Sequence, residues 1–158
     1  DGISVLNDLA GGVTVTLEDD FSAADPAMTK GTTLTLQGDQ AEIFVRRRMD
    51  IGEGTNEARM VRQEEYLAQL SAQLESRVQQ DQQFTAQVYD ALQPYLVTDL
   101  AKGQLVNEVW AAKDDTVEPA IALEGEHKVA EDGFTEFYPT EASIQKAVLT
   151  LFWEPVEE

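Results

Sequence analysis

The hydrophobic period of this chain switches at two adjacent glycines. Before Gly11-Gly12, residues Ile3, Leu6 and Leu9 recur at helical spacing; after them, Val13-Thr14-Val15-Thr16-Leu17 alternates with a period of two. A glycine just past the last periodic residue stops a helix, and a β-branched alternating run reads as a strand. A chain that commits to a helix, a stop and a strand so early points to a mixed α/β class.

The later punctuation extends that reading. TTLTLQ (32–37) is a second short strand, and Gly38-Asp39 opens a helix over 40–45 with Asp39 as candidate cap. A polar loop with Gly52 and Gly54 precedes a long helix over about 57–80, capped by Thr55 or Asn56. Helices over 84–93, halted near Pro94, and 101–112 follow, with Trp110 inward. Residues 116–123 read as a strand, 125–132 as loop or hairpin, and Pro139-Thr140 opens an amphipathic helix carrying Ile144, Ala147, Val148, Leu151 and Phe152. The expected architecture is a layered α/β/α fold with a small mixed sheet flanked by helices. Three strands are few for so many helices. Residues 1–158 are therefore expected to be the C-terminal portion of a single domain whose N-terminal part lies upstream. Residues 38–67 form its arginine region, and 68–158 its helical and C-terminal elements.

Composition narrows the function. A hydrophobic content of 42% is enough for a core, and a formal charge of −19 repels a phosphate backbone, which excludes general nucleic-acid binding. The chain has no cysteine and one histidine, His127, so disulfides, thiolate sites and multi-histidine metal centres are excluded. No apolar run approaches the ~18 residues of a membrane span.

The charge is uneven. Residues 1–45 are net −7 and residues 63–158 net −14, yet residues 46–62 are net +2. Five of the six arginines, Arg46, Arg47, Arg48, Arg59 and Arg62, fall in that stretch. Arginine is favoured where a planar fork grips phosphate or carboxylate at two points. Internal salt bridges to the abundant acids are the simpler reading for any one arginine. A shared anion competes with that reading for the set.

Helical geometry sharpens the second reading. At about 100° per residue from Arg59, the apolar residues Met60, Leu67, Leu70, Leu74 and Val78 fall between about 20° and 100°, the expected buried face. Gln63 falls within it at about 40°, Arg59 on its edge, and Arg62 and Tyr66 on the other side. A helix N-terminus presents free N–H groups and partial positive charge, so Arg59 and Gln63 are placed to hold a phosphate. If Arg46–Arg48 leave their helix extended, Arg46 and Arg48 share one face and can converge with Arg59 across the glycine loop. Pyrophosphate fits such a site better than a lone carboxylate.

These residues carry a resemblance. LQGDQAEIFVRRRMD followed by EARMVRQEEYL resembles the core motif of the LytR–CpsA–Psr family. LNDLAGGVTVTLEDDF upstream, and YLVTDLAKGQLVNEVW and GFTEFYPTEASIQKAVLTLFWEP downstream, are similar to other stretches of it. Arg47 stands where the family commonly has an aromatic, and Met49 where it has histidine. The resemblance implies an extracytoplasmic enzyme that moves a glycopolymer, of teichoic-acid or capsule type, from a polyprenyl-pyrophosphate carrier to peptidoglycan. It implies that Arg46, Arg48, Arg59 and Gln63 bind the pyrophosphate, with Arg62 as an accessory residue. It also implies Mg²⁺ as cofactor, with ligands mostly outside this chain, and an N-terminal membrane anchor that is likewise absent. The chain alone is then expected to be inactive.

Two other classes stay open: a non-catalytic module for polyprenyl phosphates or other anionic envelope ligands, and an envelope-related regulator. A bare sheet edge would invite a homodimer. Asp19 and Asp20 read as a solvated loop rather than a metal site, His127 as a surface residue, and Trp153 as core. Tyr66 and the 64–98 stretch fit either a lipid cleft or ordinary packing.

Overall fold

The structure, a computed structural model, describes residues 2–52, 54–116 and 120–153. The chain divides into two compact units, residues 1–116 and 117–158. The first unit runs α1 (Gly2–Ala10), β1 (Thr14–Thr16), β2 (Thr33–Thr35), α2 (Asp39–Arg46), α3 (Asn56–Gln80), α4 (Phe84–Leu92), a 3-10 turn at Gln93–Tyr95, and α5 (Lys102–Ala111). The α/β class holds. The strands β1 and β2 pair antiparallel with Val15 opposite Leu34. Val15 faces the core, while Thr14/Thr35 and Thr16/Thr33 face outward and join hydroxyls at 2.8 Å.

Much of the core comes from residues outside the regular elements. Phe21, Met28, Leu36 and Ile51 are fully buried beside Phe44 of α2, whose ring lies 5.8 Å from that of Phe21. The acidic stretch after β1 is therefore a closed loop over the core. Phe21 N–H donates to Met28 O at 2.9 Å, and Gly31 N–H to Leu17 O at 2.7 Å.

Asn7, fully buried on α1, joins α1 to α3 and to the residues flanking β1 and β2. Its amide donates to Leu36 O at 2.7 Å, and its oxygen accepts from Val13 N at 3.1 Å and Tyr66 Oη at 3.3 Å. Gly12 turns the chain here at φ 85°, and a Cβ would strike Thr35 and Leu36 O. Only glycine takes that position without strain.

Helix α3 buries a different face from the one its leucines mark. Arg62, Tyr66, Leu70 and Val78 are buried, while Met60 and Leu67 are 51% and 57% exposed. The buried arc lies about 60° back from the expected one and passes through Arg62 and Tyr66. The reason is what α3 packs against. The last carbonyls of a helix lack intrahelical donors, and α3 crosses two such ends. Arg77 donates to Leu9 O at the end of α1 (3.1 Å), Gln73 to Gly12 O (2.9 Å), and Gln63 to Val45 O near the end of α2 (2.9 Å). A face that supplies donors to helix ends has to be polar.

The second unit holds a hairpin, β3 (Gly125–Val129) and β4 (Thr135–Pro139), followed by α6 (Glu141–Phe152). Thr140 caps α6 by accepting Ser143 N–H at 3.2 Å, and Ser143 Oγ accepts Glu124 N–H at 2.7 Å. The strand expected over 116–123 is not observed: 117–119 lie outside the described residues, and 120–123 form no ladder. The strand starts instead at Gly125, which has a partner within hairpin reach. Ile144, Val148, Leu151, Phe152 and Trp153 are exposed, so the expected core positions of Phe152 and Trp153 are not core in this chain. Periodicity marks the side of a helix suited to burial; it does not supply a cover.

Candidate functional site

Helix α2 starts behind Gly38 (φ 52°), so Asp39 is its first helical residue and not its cap; no side chain caps this end. Acids in the first turn still suit the helix dipole. The helix keeps Arg46 and releases the chain at Arg47 (φ −69°, ψ 133°), one residue later than an extended Arg46–Arg48 required. The loop then bends at Asp50 (φ 62°), Gly52 and Gly54, and buried Ile51 pins it to the core. Gly52 is backed by the Asp19 carboxylate, which any Cβ would strike. Thr55 caps α3, its hydroxyl accepting Ala58 N–H at 3.1 Å.

The five arginines take different partners. Arg46 pairs with Glu42 one turn back on its own helix, at 2.6 Å on the surface. Arg62 is the buried one. Its Nε donates to Phe44 O (3.2 Å), its Nη2 to Arg47 O (2.6 Å) and its Nη1 to Asp19 Oδ2 (3.2 Å), and its guanidinium lies 5.3 Å from the centre of the Phe21 ring. Burial lowers the Arg62 pKa from its ordinary value. Asp19 opposes that shift, and the like charge of Arg59 adds to it.

Arg48 and Arg59 meet. Arg48 Nη1 and Arg59 Nη2 both donate to Asn56 Oδ1, at 3.1 and 3.4 Å. Asn56 is the first residue of α3, so two guanidinium groups converge at a helix N-terminus, where the dipole also favours an anion. Arg59 Nε is buried with no partner among the described residues, an arrangement that costs about 1–3 kcal/mol. Of the expected site residues, the structure thus brings Arg48 and Arg59 together. It holds Arg46 on Glu42, and it engages Gln63 and Arg62 with backbone carbonyls of the α2 exit.

Internal salt bridges account for Arg46 and Arg62. Among the described residues, Arg47, Arg48 and Arg59 meet no carboxylate, although the chain has 30 acids to 11 lysines and arginines. Sequence reasoning missed Asn56 as their shared acceptor, since it was visible only as a cap candidate. Asp19 also differs from the solvated residue expected, because it is the counter-ion of Arg62. Asp20 accepts Ser22 N–H at 2.9 Å instead. Among the described residues no three acidic or histidine side chains converge. Mg²⁺ is commonly held by one or two carboxylates and several waters, but Asp19, the carboxylate beside the glycine loop, already pairs with Arg62, so the described residues do not make a site for it. His127 lies on β3 with its ring 5.0 Å from that of Phe137. Trp110 is half-buried under Lys113, and Tyr66 packs in the core.

Residues 1–151 match the sequence model of the LytR_cpsA_psr family. A comparison with curated proteins returned no match. Among solved structures, the chain is similar to protein gbs0355 from Streptococcus agalactiae, with a TM-score of 0.70 and 19% identity over 94% of this chain and 53% of that one. It is similar to B. subtilis TagV, with a TM-score of 0.62 and 16% identity over 96% and 59%. Lin1025 from Listeria innocua gives 0.59 and 21% over 94% and 61%. These likenesses show a shared fold, and the chain spans between 53% and 61% of the length of these three structures.

Proposed function

The chain belongs to the LytR_cpsA_psr family, and from that premise we propose that it supplies the pyrophosphate-binding part of an extracytoplasmic phosphotransferase. Its donor is a glycopolymer of teichoic-acid or capsule type on a polyprenyl-pyrophosphate carrier, and its acceptor is a peptidoglycan hydroxyl. The observation that carries this reading is the convergence of Arg48 and Arg59 on one neutral oxygen, with no carboxylate among the described residues, in a strongly acidic chain. A pyrophosphate replaces the Asn56 oxygen with anionic oxygens that a guanidinium can grip at two points, adding charge attraction to each contact. Arg46 joins by exchanging Glu42 for the anion, and Gln63 by offering the second N–H of its amide while the first stays on Val45 O.

In the proposed reaction the acceptor hydroxyl attacks the phosphorus that bears the glycan. The bond from that phosphorus to the bridging oxygen breaks, polyprenyl phosphate leaves, and a phosphodiester to peptidoglycan forms. The hydroxyl proton passes to a base supplied by the rest of the protein. The arginines neutralise charge on the leaving phosphate, as such clamps do in phosphoryl transfer. Among the described residues no helix is long and apolar enough to cross a membrane. This proposal also includes anchoring of the parent protein by an N-terminal span, and a homodimer through an exposed sheet edge, read by sedimentation velocity.

The test is transfer by the full-length parent protein from a polyprenyl-pyrophosphate-linked glycan to peptidoglycan. Arg48→Ala and Arg59→Ala are each expected to cut the rate at least about tenfold. Full transfer and full donor binding in both variants would remove the arginines from the site. Donor binding without turnover by the wild-type protein would favour the non-catalytic module.

A further inference from the structure

Arg62 stands apart from the other arginines of the motif. It is buried, and its three nitrogens reach three separate points: the Phe44 and Arg47 carbonyls on either side of the α2 exit, and Asp19 in the loop after β1. Gln63, its neighbour on α3, holds Val45 O. The peptide entering Arg46 and the peptide joining Arg47 to Arg48 are therefore both fastened to α3, the second of them directly bonded to Arg48. From α3 itself come Asn56 and Arg59, the other half of the convergence.

We propose that Arg62 is a positioning residue of the anion site, fixing the backbone between Phe44 and Arg47 so that Arg48 is delivered beside Arg59. This rests on the anion-site reading given above. Arg62 does not itself touch the anion, because its side chain is 9% exposed and every one of its nitrogens is already engaged. The chemistry requires an arginine. A planar guanidinium has five N–H donors in a fixed fork, whereas a lysine ammonium is a point charge that cannot span the same acceptors. A cation is also suited to the negative end of α2, and Asp19 balances its charge.

The test is a double-mutant cycle read by calorimetric titration of inorganic pyrophosphate into the full chain. Arg48→Ala is expected to weaken binding at least about tenfold in the wild-type background. Arg62→Lys is expected to weaken it to a similar extent while the protein still melts cooperatively. In the Arg62→Lys background, Arg48→Ala should then cost less than about threefold, because Arg48 no longer reaches the site. Equal costs of Arg48→Ala in both backgrounds, or wild-type affinity in Arg62→Lys, would overturn the positioning role. If Arg48→Ala alone leaves binding unchanged, the anion-site reading falls, and the positioning role with it. Should Arg62→Lys fail to fold, Asp19→Asn loosens the same anchor from its partner's side and enters the same cycle with the same expected outcomes.

Discussion

Arg62 and Tyr66 lie one turn apart on α3, and both direct polar atoms into the protein. Desolvation, with the Asp8 charge second, pushes the Tyr66 hydroxyl up to about 12. Its folded value lies above the unfolded value of 10.0, so stability is intact below about pH 10 and declines as pH rises from about 10 to about 12. The full decline is about 3 kcal/mol at 1.36 kcal/mol per unit. Tyr66→Phe is expected to lose ~1 kcal/mol at pH 7 with the bond to Asn7, and to show a flatter alkaline decline in urea-melt stability than the wild type. The same steepness in both would remove Tyr66 as the titrating group. At this scale the sequence showed which side chains can grip an anion and concealed which of them do. Arg48, Arg59 and Arg62 are the same residue type within fifteen positions, and only tertiary contacts separate two convergent surface groups from one buried anchor.

At the scale of elements, local signals sufficed where a period or a cap is self-contained. The switch at Gly11-Gly12 and the strands β1 and β2 are present as read, Thr55 is the one of the two cap candidates that caps α3, and α6 opens after Pro139-Thr140. The buried face of α3 was not legible. An apolar period locates a helix, but the face that is covered depends on its neighbours, and α3 meets the carbonyl ends of α1 and α2. The 116–123 strand failed for a related reason: pairing needs a partner, and 125–129 has one in 135–139. Because Thr55 caps the helix that carries Asn56, Arg59 and Arg62, Thr55→Ala is expected to destabilise by about 1 kcal/mol in chemical denaturation. A change under about 0.3 kcal/mol would show that tertiary contacts, and not the cap, hold this end.

Across the whole molecule, a net charge of −19 makes self-repulsion the main electrostatic force on the fold. Screening weakens it, since the Debye length falls to ~3 Å at 1 M salt. Raising NaCl should therefore raise Tm by several degrees, and a falling Tm would mean that the Arg62–Asp19 and Arg46–Glu42 pairs outweigh the repulsion. The same salt should weaken anion binding at the arginine stretch, so the two effects of salt run in opposite directions. The α/β class was readable because helix and strand periods alternate along the chain. The exposure of α6 was not readable, because no period reports whether a partner surface is present. The anion site is tested most directly by calorimetric titration of inorganic pyrophosphate, at low ionic strength, into the wild-type chain and the Arg48→Ala/Arg59→Ala double variant. Binding to the wild type that weakens by at least about a hundredfold in the double variant is expected from two lost charge-assisted contacts. Equal affinity in the two proteins, or no binding to a folded wild-type chain, would contradict the anion site.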